Sequence, residues 1–141
     1  MTAIRDRVNA GTTYSIDVRA EYAEQIIDPL EDLASEGLRV DIVTEEEETL
    51  NETLATEDRT SLSIRIWIRK KVSSFSNDEI DPLKLVARQI FQQVNNYDTR
   101  DLRVRVWECD LENVDKPGKQ LMLQAGVFIQ AILLRVEVGA S

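Results

Sequence analysis

SLSIRIWIRKK, residues 61–71, alternates without a break: Leu62, Ile64, Ile66 and Ile68 fall on one side, and Ser63, Arg65, Trp67 and Arg69 on the other. Successive side chains of an extended strand point to opposite faces, so a period of two predicts a half-buried strand. Its inner face is aliphatic and its outer face is basic and aromatic. Further along, Leu102, Val104 and Val106, continued by Glu108, alternate with Arg103, Arg105 and Trp107 and repeat that division. Two strands thus share one kind of outer face.

Between them the period changes. A polar connection, Ser73 to Glu79, leads to Asp81 and Pro82, where a carboxylate can cap free N–H groups and proline suits the first helical position. Leu83, Val86, Ala87, Ile90 and Val94 then form one helical stripe, widened by Leu85 and Phe91 and stopped at Asn95 and Asn96. After the second basic strand, Asp110 to Gln120 contains Pro117 and Gly118 and is expected to be a loop. Val127 to Val138, bounded by Gly126 and Gly139, is expected to be a long strand carrying Phe128, Ile132, Leu134, Val136 and Val138.

Toward the N-terminus, Tyr14, Ile16 and Val18 alternate with Ser15, Asp17 and Arg19 and predict a strand. Ile26, Ile27, Leu30, Leu33 and Ala34 recur at helical spacing up to Gly37 and predict a short helix around Pro29–Ser35. Leu38, Val40 and Ile42, with Val43, predict a further strand. Residues 44–60 carry Glu45, Glu46, Glu47, Glu48, Glu52, Glu57 and Asp58 against the single base Arg59, so this stretch is expected to be a long, solvated acidic connection. The order is β, short α, β, acidic connection, β, α, β, loop, β. It predicts an α/β (α+β) fold: a mixed, mainly antiparallel sheet flanked by one long and one or two short helices, in a single domain over residues 1–141.

Composition bounds the function. One domain suits 141 residues, and 43% hydrophobic with 30% charged residues is a globular balance. A net charge of −9 repels DNA, RNA and anionic membranes, so sequence-specific nucleic-acid binding is not expected. The apolar runs are far short of the roughly 20 residues that cross a bilayer, and no leader or membrane anchor is expected from the polar start, Met1–Asn9. A single cysteine, Cys109, can form no intrachain disulfide, as befits a reducing compartment.

With no histidine and scattered glycines, the common nucleophile, proton-shuttle, zinc and phosphate-loop arrangements are absent, and neither enzyme activity nor a cofactor nor a metal is expected. Four consecutive glutamates point in different directions with no glycine turn, unlike an ordered calcium loop. Asp78, Glu79 and Asp81 fit helix initiation better than an acid–base pair, and Cys109 fits a small buried hydrophobe. An enzyme relying only on carboxylates and tyrosines such as Asp17, Tyr14 or Tyr22 is the weakest alternative.

Arg65, Trp67, Arg69, Arg103, Arg105 and Trp107 combine the two residue types most enriched at the energetic centres of interfaces. Equally, the arginine stems can pack on the indoles and cover the sheet. A subunit interface in which these basic strands meet Glu45, Glu46, Glu47 and Glu48 of the next subunit would suit a ring.

As a whole, the opening Tyr14–Tyr22 stretch, EDLASEGLRVDIV at 31–43, SLSIRIWIRKKV at 61–72, NDEIDPLKLVARQIF at 77–91 and GVFIQAILLRVEV at 126–138 resemble tailed-bacteriophage tail terminators and tail-completion, head-to-tail neck proteins. The resemblance implies a small α/β protomer in a homo-oligomeric, often hexameric ring that caps the tail or joins it to the head around a DNA passage. It implies other neck, connector and tail-tube proteins as partners, and a place in the virion after assembly in the host cytoplasm. The alternative from a different class is a monomeric acidic protein-binding module or nucleic-acid mimic.

Overall fold

A computed structural model describes residues 2–24, 37–50, 59–73, 76–99, 104–112, 124 and 126–139. In chain order these form α1 (Thr2–Asn9), β1 (Ala20–Tyr22), β2 (Arg39–Leu50), β3 (Arg59–Lys71), α2 (Asn77–Val94), β4 (Asp98–Thr99), β5 (Val104–Glu112) and β6 (Val127–Gly139). The sheet has six strands in the order β1-β2-β3-β6-β5-β4. Only β1 and β2 are parallel; the other pairs are antiparallel. The mixed, mainly antiparallel α+β fold is therefore the one the alternation predicts.

β3 is the centre of the sheet, paired over its whole length with β6 and from Arg59 to Arg69 with β2. Its inward residues Ile64, Ile66 and Ile68 are all 0% exposed. They meet Val40 and Ile42 of β2, Ile132, Leu134 and Val136 of β6, and Val104 and Val106 of β5 in one cluster with Val86, Ala87, Ile90 and Val94 of α2. Both helices lie on this side of the sheet. Among the described residues no helix is long and apolar enough to cross a membrane.

Several elements depart from the expectations, each for a visible reason. α2 begins at Asn77, not at Asp81–Pro82, because Ile80 already joins the buried stripe and Ser76, in an extended conformation, accepts the Ile80 N–H at 3.0 Å. Asp78 and Glu79 fall in the first turn, where carboxylates complement the helix dipole. Pro82 sits inside the helix, forgoing a single bond near its start. Leu85 does not widen the buried stripe: it is 49% exposed, whereas Phe91 packs against the core. The stop is as expected, with Asn96 in the left-handed region at φ 60°.

The polar start is helical. Ile4 and Val8, one turn apart, are both 0% exposed, and α1 is tied to α2 by Arg7 Nε donating to the Gln93 carbonyl at 2.7 Å and Gln93 Nε2 donating to the Arg7 carbonyl at 2.9 Å. Tyr14 to Val18 is not a strand. The Tyr14 hydroxyl donates to the Val8 carbonyl at 2.7 Å and the Ser15 N–H to Gln89 Oε1 at 2.9 Å, so side chains hold this stretch across the helices. The parallel strand comes later, at Ala20–Tyr22.

Residues 44–50 belong to β2, opposite β3, with a bulge between Thr44 and Glu46. The acidic connection is shorter than residues 44–60, and 51–58 lie outside the described residues, as does the helix expected around Pro29–Ser35. β5 likewise continues through Glu112 where a loop is expected from Asp110, and 113–120 lie outside the described residues.

Two outcomes follow. Ile90→Ala, which empties a fully buried site beneath β3, is expected to cost about 2–5 kcal/mol in chemical denaturation. Burial, opposed by Arg7, holds the Tyr14 pKa up to about 12 against an ordinary 10.0, and burial, with Asp110 adding to it, holds Cys109 up to about 12 against 9.0. Both groups keep their protons in the folded chain while the unfolded chain ionises. Their contribution to stability is therefore constant below pH 9.0 and is lost as pH rises from there toward 12, which should lower the denaturation midpoint over that range.

Candidate interaction surface

The outward side chains of β3 point away from the helices, onto the second face of the sheet. On that face Asp41 of β2 stands opposite Trp67 and diagonal to Arg69. Its Oδ2 accepts from Arg69 Nη2 at 2.8 Å, and its Oδ1 lies 3.6 Å from Arg39 Nη2. Asp41 and Arg69 are only 4% and 5% exposed. A buried pair of this kind is held by the mutual need of its charges, because neither can be solvated alone.

Arg65 sits two residues back along β3 and spans three strands. Its Nη1 donates to both carboxylate oxygens of Glu45, at 2.6 and 2.7 Å, and its Nε donates across β6 to Glu112 Oε1 on β5 at 2.8 Å. Burial disfavours the charged guanidinium, but hydrogen bonding and attraction to Glu112 and Glu45 outweigh it and raise the Arg65 pKa. The guanidinium also lies 5.7 Å from the ring centre of half-buried Trp67.

Trp107 is separate. It falls at a bulge in β5 between Val106 and Glu108, is 45% exposed, and carries Arg135 of β6 at 6.0 Å from its ring centre. Arg135 in turn pairs with Glu108 at 3.1 Å. Arg105 is exposed on β5 opposite Asp98 of β4, and Arg103 lies outside the described residues.

The expected constellation is therefore divided. Arg65, Trp67 and Glu45 come together, Arg69 is buried with Asp41, and Trp107 joins Arg135 beyond β6. Glu46, Glu47 and Glu48 lie on β2 opposite Ser63, Leu62 and Ser61, in a strand and not in a solvated connection. The partners that alternation alone does not disclose are acidic: Asp41, Glu108 and Glu112. Asp41 alternates correctly as an outward residue of its strand; its burial depends on what packs above it.

Asp17 is exposed, the Tyr14 hydroxyl is spent on Val8, and the Tyr22 hydroxyl is shielded from solvent without a hydrogen bond among the described residues. Cys109 is half-buried against the core with its thiol pushed up to about 12. Among the described residues no group of three or more acidic or cysteine side chains is placed to hold a metal ion.

No protein-family model matches the sequence, and no curated protein matches it. The fold does have counterparts among solved structures. One is a chain of the structure described as "Virion of native gene transfer agent (GTA) particle", which aligns with a TM-score of 0.53 over 97% of this chain and 92% of that chain, at 13% sequence identity. At this identity the likeness is one of fold.

The two arginines of β3 should respond differently to loss of their acids. Asp41→Ala strands the buried Arg69 charge and is expected to cost about 3–5 kcal/mol, whereas Glu45→Ala at the part-exposed Arg65 should cost about 1 kcal/mol or less. Chemical denaturation of the two variants compares them directly, and equal losses would contradict the burial difference.

Proposed function

We propose that this chain is a structural subunit of a phage-like virion, without catalytic activity, which forms a ring at the neck or tail end, completes the tail and joins it to the head. The observation that carries this is the fold likeness to a chain from a gene transfer agent virion, which runs through nearly the full length of both chains. It agrees with the sequence resemblance to tail terminators and tail-completion proteins, which rests on different features.

Two physical features support the same reading. A net charge of −9 suits a wall past which DNA must slide, because a phosphate-gripping lining would arrest it. The exposed Trp107 and the incompletely covered outer strands offer contact surfaces for assembly with other proteins of the particle. Neck, connector and tail-tube proteins are then the partners.

The ion pairs of Arg65 and Arg69 are closed inside the protomer, so in this proposal they do not supply the contact between subunits. Light scattering over a range of protein concentrations at low and high salt tests this. The expected result is a mass of about six protomers that persists at high salt, with rings in electron micrographs. A single-protomer mass under every condition, with no rings, would overturn the proposed ring and favour a monomeric acidic module that binds a basic partner.

A further inference from the structure

We propose that the outer edge of β5, from Trp107 to Leu111, docks an extended, lysine- or arginine-bearing segment of a partner protein, which adds to the six-stranded sheet as a further strand. The inference concerns a surface that the proposed ring does not define, and it stands on three observations.

The first is an unequal treatment of the two sheet margins. At β1 the side-chain amide of Asn9 occupies the strand edge, accepting from the Ala20 N–H at 2.7 Å and donating to the Ala20 carbonyl at 3.1 Å. A neighbouring strand is thereby shut out at that residue. At the other margin β4 is only Asp98–Thr99, and its cover ends where the Val106 N–H donates to the Tyr97 carbonyl at 2.8 Å. Beyond Val106, among the described residues, no strand or side chain bonds to β5 on the side away from β6. Unpaired N–H and C=O groups in a row are a template for another strand.

Side-chain chemistry at this edge is the second observation. Trp107, Glu108 and Asp110 are exposed, and the Trp107 ring already holds one guanidinium, that of Arg135, at 6.0 Å. Glu108 and the Trp107 ring are already engaged by Arg135, so the exposed Asp110 is the carboxylate left to favour a cation on the incoming strand.

The third decides between a second copy and a different partner. β2 is covered by β1 only at Val40–Ile42, so its farther part, bearing Glu45 to Glu48, is the other uncovered edge of the sheet among the described residues. Pairing β5 with itself or with that stretch of a second copy would place acid opposite acid, which is destabilising. A basic segment of another protein is the occupant this charge pattern accepts.

The test uses the full chain and a synthetic peptide of alternating lysine and valine. Residue-resolved amide exchange is measured with the peptide, with its glutamate–valine counterpart, and with a lysine–valine peptide N-methylated at alternate backbone amides. Selective protection of residues 107–111 by the lysine–valine peptide alone, weakened about tenfold by Asp110→Lys in a chain that still folds, is the expected result. Equal binding of the N-methylated peptide would overturn strand addition, and equal binding of the glutamate peptide would overturn the charge requirement. Protection of 107–111 without any peptide, rising with protein concentration, would assign the edge to a second copy and overturn the proposal, as would protection confined to other residues.

Discussion

Three isoleucines on one strand constrain everything else. Ile64, Ile66 and Ile68 are fully buried beneath α2, and β3 is bonded on both sides, so it can neither rotate nor slip without exposing them. A slip of one residue would carry the whole row to the other face. The neighbours are fitted to this row, and where a neighbour's spacing disagrees the mismatch is absorbed by bulges at Thr44/Glu46 and Val106/Glu108. The second bulge changes which residues of β5 face inward: Val104 and Val106 before it, Cys109 and Leu111 after it.

The same alternation that buries the isoleucines commits Arg65, Trp67 and Arg69 to the second face. Arg65, Arg69 and Arg135 on adjacent strands would repel each other if left alone. Asp41, Glu45, Glu112 and Glu108 answer Arg69, Arg65 and Arg135 in turn, leaving that face locally paired. What remains for recognition is at the margins, where backbone groups and Trp107 are uncovered.

Much of this was legible in the sequence because it is periodic. β3, β6 and the α2 stripe announce themselves by runs long enough for a period of two or 3.6 to be distinguished. α1 has only Ile4 and Val8 to show, too few to mark a helix among polar neighbours. Tyr14, Ile16 and Val18 alternate as a strand would, yet bonds from Tyr14 and Ser15 to α1 and α2 hold them instead. Pro82 was a stronger helix-start signal than Ile80, although Ile80 is the residue that reaches the core. The glutamates of β2 suggest solvent, but their backbone is claimed by β3, a tertiary preference that no local pattern contains. For the candidate surface, residue types were visible and pairings were not, because Arg65–Glu112 and Arg69–Asp41 join strands far apart in sequence.

We propose this sheet-and-helix unit as a component of a virion. Purifying phage-like particles from cells carrying an epitope-tagged copy of the chain, and locating the tag by electron microscopy, tests it most directly. The expected result is a label at the junction of head and tail or at the tail end, in stoichiometric amounts. Intact particles that lack the chain altogether, with the tagged protein recovered only outside them, would contradict it.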